Sequence, residues 1–304
     1  MIISLDVVAG ARYAFIHPLA EIKSVSAMAA NAKAARDYLY AHGTLWERAL
    51  YAHHFEGGSL ARLHACLATY QNDDGGYGHA FEHDIRCPDS HPLALEFLLS
   101  VLRICAIPAG DLLAGTAAWL ERQLLPDGSL RNPPAVLEHP HAPWWQRGGQ
   151  DVPIAIVGNL HAQGQSTPVL LDAAACWAQV HMNLSQIRAN EWLFLCYRPY
   201  EYYFALPESD FVRECRAATL ENIVFLAEKM PPEQTYSLFF FATDPASPAT
   251  QALPQGLLED ALERLYESQQ DDGSWPDQHG LAHWYPYTTI CVLLTLRRFG
   301  MMDI

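Results

Sequence analysis

The segment from Tyr70 to His91 concentrates residue types that can do acid–base or metal chemistry. It reads YQNDDGGYGHAFEHDIRCPDSH and holds four aspartates, one glutamate, three histidines and one cysteine. Carboxyl groups and histidines transfer protons, and the same side chains together with a thiolate bind metal ions. A polar turn between two helices has a similar composition. Three interpretations are therefore open: a catalytic loop, a metal site or a structural corner.

The overall charge limits the partners of such a site. The 304 residues include 34 acidic and 19 basic side chains, which gives a formal charge of -15 at pH 7. We expect no nucleic-acid partner, because nucleic acids require a basic surface. Seven cysteines at irregular spacing, no apolar run of about 18 residues and no signal-peptide pattern predict a cytoplasmic protein without a transmembrane segment. The sequence does not indicate an oligomeric state.

The acidic segment begins with a pattern that occurs three times. It is present in LATYQNDDGGY (67–77), WLERQLLPDGSL (119–130) and LYESQQDDGSW (265–275). In each copy an apolar residue lies four positions before a glutamine, and an Asp-Gly pair and an aromatic residue or leucine follow. The spacings of these pairs are close to one and three units of about 50 residues, so we expect about six units.

Each unit predicts two helices joined by a turn and a loop. The first helix is amphipathic, as expected for an outer helix, whereas the second is apolar nearly all round and is expected to be inner. Ser59 is a predicted N-cap and Gly300 a predicted C-cap. The other predicted helices cover 27–42, 44–56, 111–124, 167–181, 185–197 and 210–229. We predict an all-α fold, with a long irregular loop or lid at about 126–166.

These repeats resemble the glutamine-tryptophan motifs of the terpenoid cyclase and protein prenyltransferase superfamily. The chain looks most like an uncharacterised bacterial prenyltransferase-like branch of it. The resemblance implies a single α/α toroid over residues 1–304, with about twelve helices in inner and outer rings. In that superfamily the motif is structural and says little about the reaction. The residues that carry the resemblance are Gln71, Asp74, Gly75, Tyr77, Gln123, Asp127, Gly128, Gln269, Asp272, Gly273 and Trp275.

The resemblance also implies acid chemistry. Class II terpene cyclases protonate an alkene or epoxide with an aspartate of a D-x-D-D run, and the nearest match here is E-H-D at residues 82–84. We expect Asp84 to be the acid and Glu82 to tune it, with His79 also in the catalytic set. Such an acid must be kept protonated by burial and by a neighbouring carboxylate. The structural alternative is that these carboxylates cap the next helix and pair with Arg86.

A zinc site is the second implication of the resemblance. Protein prenyltransferases hold zinc with an aspartate, a cysteine and a histidine from a later unit. The corresponding residues here are Asp84, Cys87 and His283, although the spacing is Asp-x-x-Cys rather than Asp-x-Cys. We expect no cofactor, with zinc as the alternative.

The loops after the Asp-Gly turns lead into the inner helices, so their side chains are expected to line a central cavity. We expect a hydrophobic, isoprenoid small molecule to bind there and to react by protonation. The alternatives are a carbohydrate-active hydrolase or lyase, with Asp277 or Asp151 as a second acid, and a non-catalytic toroid that binds a lipid or a partner. The predicted substrate-binding residues are Tyr77, His83, Trp144, Trp145, Trp284 and Tyr285.

Overall fold

The computed structural model describes residues 31–145, 150–151 and 153–302. The chain is 61% helical, with 14 α-helices among the described residues. A single two-residue antiparallel pair accompanies them, β1 (Leu130–Arg131) and β2 (Gln150–Asp151). The predicted all-α class is therefore confirmed. No helix in the described part of the chain is long and apolar enough to cross a membrane.

Most predicted helices are present. The α-helices are α1 (Ala32–His42), α2 (Leu45–Phe55), α3 (Leu60–Ala68), α4 (Pro92–Ile104), α5 (Thr116–Gln123), α6 (Pro153–Ala162), α7 (Pro168–His181), α8 (Leu184–Ala189), α9 (Tyr197–Tyr203), α10 (Asp210–Ala227), α11 (Thr235–Leu238), α12 (Pro248–Ala252), α13 (Gln255–Glu267) and α14 (Tyr285–Arg298). Short 3-10 turns cover Gly110–Leu113, Pro134–Glu138, Pro143–Trp145, Leu193–Cys196 and Pro232–Gln234. Positions 27–30 of the first predicted helix lie outside the described residues.

Two predicted helices are interrupted. The predicted helix 185–197 ends as α8 at Ala189, because the Asn190 side chain bonds to the backbone of Trp192 instead of continuing the helix. The predicted helix 111–124 begins as a 3-10 turn, and Gly115, at φ +76°, separates that turn from α5. Ser59 caps the start of α3 as predicted, because its side chain accepts a hydrogen bond from the Arg62 amide. Gly300 follows the end of α14 with φ +71°.

The predicted irregular segment 126–166 is wrong in part, because it contains α6. This helix has the sequence PIAIVGNLHA, with a proline at its first position and a glycine inside it. Proline is tolerated in the first turn of a helix. Gly158 lies against α9, where an added Cβ would be 2.5 Å from the carbonyl oxygen of Glu201. The glycine thus allows close packing of two helices rather than a turn.

The three Asp-Gly turns share one geometry, as the repeat predicts. In each turn the aspartate Oδ1 accepts a hydrogen bond from the backbone amide two residues later, and the glycine adopts the left-handed conformation that is open to glycine. The bonds are Asp74 to Gly76 (2.8 Å), Asp127 to Ser129 (3.0 Å) and Asp272 to Ser274 (2.9 Å). These aspartates build the turns.

The glutamines of the first and last turns connect each turn to another helix. Gln71 Nε2 donates to the Ala114 carbonyl at 2.9 Å, just before α5. Gln269 Nε2 donates to the Asn31 carbonyl at 3.2 Å, and the Asn31 amide returns a 2.7 Å bond to Gln269 Oε1 at the start of α1. The last repeat thus meets the first described helix in the way that the first repeat meets its successor. This contact favours a closed ring, and the toroid itself stays a prediction.

The helices predicted to be inner and outer differ in burial. α4 buries ten of its 13 residues, whereas α13, of the same length, buries three. α14 is buried nearly all round and contacts α1, α2 and α13. The helices α4, α9, α11 and α14 contribute side chains to one pocket.

Candidate functional site

A pocket of about 520 Å³ lies among the first turns of α4, α9 and α14, with α11 and the preceding loops completing its wall. Ten of its 22 lining residues are Phe, Trp or Tyr, which fits an apolar ligand. The aromatic lining consists of Phe97, Trp144, Trp145, Trp192, Phe194, Tyr197, Tyr236, Phe240, Trp284 and Tyr287.

Asp84 joins several of the predicted site residues at this pocket. Its Oδ1 accepts from Trp284 Nε1 at 2.8 Å and from His283 Nε2 at 3.2 Å, and its Oδ2 accepts from Trp144 Nε1 at 3.2 Å. These three N–H donors occupy most of the acceptor capacity of a carboxylate. The arrangement favours a structural role for Asp84, in which its carboxylate fixes the indole rings of Trp144 and Trp284 in the pocket wall.

Glu82 lines the same pocket and accepts a hydrogen bond from the backbone of Asp84. Its side chain is 7% exposed, and its Oε2 accepts from the Asp84 backbone amide at 2.9 Å. Neither Glu82 nor Asp84 caps α4, in contrast to the structural alternative considered above. His91 has that role, with its Nδ1 accepting from the Ala94 amide at 3.2 Å. Burial lowers the pKa of His91 to about 4, which keeps the ring nitrogen available as an acceptor.

His83 lies behind the pocket wall rather than in it. Its ring centroid is 4.6 Å from that of Trp284, and its Nδ1 is 2.8 Å from the His283 carbonyl oxygen. Its Nε2 is 3.7 Å from Oε1 of Glu47. Burial lowers the pKa of His83 to about 4 and raises that of Glu47 to about 7. His83 thus supports Trp284 from the protein side.

Three other predicted residues are not part of the pocket lining. Tyr77 is fully buried, and its hydroxyl donates to the Leu112 carbonyl at 2.5 Å. His79 is exposed on a turn with φ +56°, and Tyr285 begins α14. Sequence position alone did not reveal that these three residues lie outside the pocket lining.

The predicted zinc ligands are only partly assembled. Asp84 and His283 are bonded, but Cys87 is buried in a separate cluster with Ile85, Leu93 and Val136. Burial raises the pKa of the Cys87 thiol, which disfavours the thiolate that zinc needs. Among the residues that the structure describes, no group of three or more His, Cys, Asp or Glu side chains is placed to hold a metal ion. Zinc stays a sequence-based prediction.

The two adjacent tryptophans have different positions. Trp144 is 50% exposed, with its ring centroid 5.6 Å from that of His279. Trp145 packs against the cluster of Ile85, Cys87, Leu93 and Val136. Both line the pocket, and their contact with a ligand stays a prediction.

Sequence reasoning missed Glu96, which lines the pocket from α4. Its Oε1 accepts from the Tyr197 hydroxyl at 3.0 Å, and its Oε2 has no hydrogen-bond partner among the described residues. Burial raises the pKa of Glu96 to about 7, and nearby Glu201 raises it further, whereas Arg198 and Tyr197 act in the opposite direction. Glu96 is therefore a titratable carboxyl group in an apolar pocket.

Glu201 on α9 was also missed, and it differs from Glu96 in being fully bonded. Its Oε1 accepts from Arg103 Nη2 at 2.6 Å, and its Oε2 accepts from Asn159 Nδ2 at 2.7 Å. Burial raises its pKa, and the charge of Arg103 is the main opposing effect. The available signal for both glutamates was a lone acidic residue within an apolar segment, LALEFLLSVL for one and YEYYFAL for the other. Acidic side chains are rarely buried without a partner or a function.

A smaller cavity of about 230 Å³ lies beside α8 and α10 and shares Leu195 and Arg198 with the pocket. Its lining includes Asn190, Cys196 and Asn222 but no carboxyl group. The titratable carboxyl groups therefore belong to the larger pocket.

No protein-family model matches the chain, and no curated protein is significantly similar to it.

Proposed function

We propose that the protein binds a hydrophobic small molecule in the pocket and transfers a proton to or from it, with Glu96 as the acid and base. One observation carries this proposal: the Glu96 carboxyl group lines an aromatic pocket, its pKa is raised to about 7, and its Oε2 accepts no hydrogen bond from the residues that the structure describes. A proton donor or acceptor works best when its pKa is close to the working pH. Burial among apolar groups produces that value for a glutamate.

The neighbours of Glu96 suit both of its protonation states. When it is ionised, the Tyr197 hydroxyl donates to Oε1, and Arg198 Nε donates in turn to the Tyr197 oxygen at 3.2 Å. Glu201, bonded to Arg103 and Asn159, is the nearby negative charge that favours the protonated form of Glu96. Two carboxyl groups in different environments are a common arrangement in acid–base sites.

The size of the pocket supports a ligand of moderate length. At about 30 Å³ per molecule, the volume of liquid water, 520 Å³ corresponds to roughly 15 to 20 non-hydrogen atoms. An isoprenoid of that length fits the aromatic walls, and this substrate class rests on the resemblance of the repeats. In this proposal Asp84 is a positioning residue that fixes Trp144 and Trp284.

The carbohydrate alternative has weaker support. It requires a second carboxyl group able to act across the pocket from Asp84. Asp277 lines the pocket, but its two oxygens accept the backbone amides of His279 and Leu281, so it builds its own loop. Asp151 lies in β2, and its side chain is outside the described residues.

The proposal is tested by incubating the protein in heavy water with neutral isoprenoid alcohols and epoxides of about 15 to 20 carbons. Mass spectrometry then measures deuterium bound to carbon. We expect incorporation by the wild type and by Glu263→Gln, a control on the exposed side of α13, and background incorporation by Glu96→Gln. Full incorporation by Glu96→Gln would reject Glu96 as the acid. Binding without incorporation in the wild type would favour the non-catalytic alternative.

A further inference from the structure

We infer that the ligand is a hydrophobic carbonyl compound, and that the pocket exchanges protons at the carbon next to the carbonyl group. This inference rests on the proposed function of the pocket and specifies its substrate class. Its basis is a pair of pocket hydroxyl groups that have no hydrogen-bond partner among the described residues.

Ser100 and Thr288 contribute hydroxyl groups to the pocket from two different helices. Both residues line the pocket, Ser100 from α4 and Thr288 from α14, and neither side chain has a hydrogen bond among the described residues. The two helices meet at the ring contact of Phe97 with Tyr287, whose centroids are 5.1 Å apart. Hydroxyl groups without a partner in an apolar pocket indicate a polar group of the ligand or an ordered water molecule.

Two buried tyrosines lie beside this pair of hydroxyl groups. Tyr236 and Tyr287 also line the pocket and are 9% and 3% exposed. Their hydroxyl oxygens have no hydrogen-bond partner by distance and angle among the described residues, and the Cys291 thiol is a polar neighbour of both. A buried hydroxyl group left unpaired costs about 1–3 kcal/mol. Since these two hydroxyl oxygens are closed off from the pocket and lie near Cys291, the hydroxyl groups that the described lining offers to a ligand are those of Ser100 and Thr288.

Neutral hydroxyl donors suit a carbonyl oxygen better than a charged group. A diphosphate or a carboxylate requires arginine or lysine, and Arg198 is the single lysine or arginine residue in the described pocket lining. A hydrocarbon would leave the hydroxyl groups of Ser100 and Thr288 unpaired. A ketone or aldehyde oxygen accepts two hydrogen bonds from them while its carbon chain fills the aromatic part of the pocket.

Glu96 is placed for the matching reaction. It precedes Ser100 by one helical turn on α4, so the two side chains point to the same side of the helix. The Glu96 carboxylate takes a proton from the carbon next to the carbonyl group, and the C–H electron pair forms the carbon–carbon double bond of an enolate. The carbonyl oxygen receives the negative charge, which the hydroxyl donors stabilise. Return of the proton from Glu96 to the same or another carbon completes an exchange or an isomerisation.

This chemistry fits Glu96 better than the protonation of an isolated alkene does. A carboxyl group that titrates near neutral pH is a weak acid, whereas an alkene needs a strong one. Proton removal next to a carbonyl group is within reach of such a carboxylate when hydrogen-bond donors surround the oxygen.

The test uses geranylacetone, a neutral ketone, in heavy water. The wild type is expected to incorporate deuterium next to the carbonyl group above the buffer rate. Glu96→Gln should lower the rate by about 10²- to 10⁴-fold. Ser100→Ala and Thr288→Val should each lower it by about tenfold or more, since each removes one donor to the oxygen. Glu263→Gln, on α13, is the control and should exchange like the wild type.

Binding measured by tryptophan fluorescence separates the possible failures. The ketone should bind at least about tenfold more tightly than the hydrocarbon of the same skeleton. Equal binding of the two, or exchange that survives in Glu96→Gln, would overturn the inference. Turnover of alkenes or epoxides without exchange of the ketone would overturn it and leave the proposed function standing. If none of these compounds binds, both are rejected.

Discussion

The loop from Tyr70 to His91 and the helix α4 that follows it use their carboxyl groups differently. In the loop, Asp74 accepts the Gly76 amide, Glu82 accepts the Asp84 amide, and Asp84 accepts two indoles and an imidazole. On α4, Glu96 accepts a single bond from Tyr197. Three carboxyl groups of the loop thus have structural hydrogen bonds, whereas the one on the helix has an oxygen that accepts no hydrogen bond from the described residues. A high density of polar residues therefore marks the turn, and the isolated residue marks the candidate chemistry.

The largest expected effect separates the two regions by activity. Glu96→Gln should lower proton transfer by about 10²- to 10⁴-fold, because it removes the titrating group and keeps its shape. Asp84→Asn should lower it by about tenfold, since an amide oxygen still accepts one indole but its NH₂ group faces another donor. Deuterium incorporation measures both. A greater loss of deuterium incorporation in Asp84→Asn than in Glu96→Gln would indicate that the acid lies in the loop.

A second comparison concerns stability. Arg103→Met leaves the Glu201 carboxylate buried without its cation and should lower the free energy of unfolding by about 3–5 kcal/mol. Arg86→Met, at an exposed position of the loop, should change it by less than about 0.5 kcal/mol. Urea unfolding measures the difference. Adding Glu201→Gln to Arg103→Met should recover part of the loss, and a lack of recovery would argue against a charge effect.

The structural role of the Asp-Gly turns is tested with two glycines. Both Gly273 and Gly280 have positive φ, +92° and +68°, so alanine is strained at either position. An added Cβ at Gly273 would lie 2.3 Å from the Ala34 carbonyl carbon, whereas Gly280 has open space. We expect Gly273→Ala to cost about 3 kcal/mol and Gly280→Ala about 1 kcal/mol. Equal losses in thermal unfolding would show that the contact with α1 adds nothing.

The smallest expected effect is the pH dependence of stability. The folded protein holds the Glu96 proton up to a pH of about 7, compared with an ordinary pKa of 4.5. The stability contributed by this group is therefore complete below about pH 4.5 and is lost as the pH rises through 7. Between pH 5 and 7 the wild type should lose about 2 kcal/mol relative to Glu96→Gln. Parallel curves for the two proteins in urea unfolding would show that Glu96 does not titrate in this range.

The turns and the helix burial were predictable because they depend on local chemistry. An aspartate before a glycine forms the same turn wherever it occurs, and the apolar period of α4 or α13 sets how many of its sides are buried. The Glu96 site depends on distant residues instead. Its bond partner Tyr197 is 101 positions away, and no periodic pattern links the two. The same holds for α6, where Gly158 is explained only by the approach of α9.

The bond between Gln269 and Asn31 has a consequence for the order of folding. The two residues are separated by 238 positions, so a nascent chain exposes α1 long before the partner of its N-cap residue has been synthesised. Contacts of such long range form late, because their loop-closure entropy is paid before they stabilise the chain. We expect α1 and α14 to gain hydrogen-exchange protection together, after the helices between them. Early protection of α1 alone would show that its packing on α2 suffices.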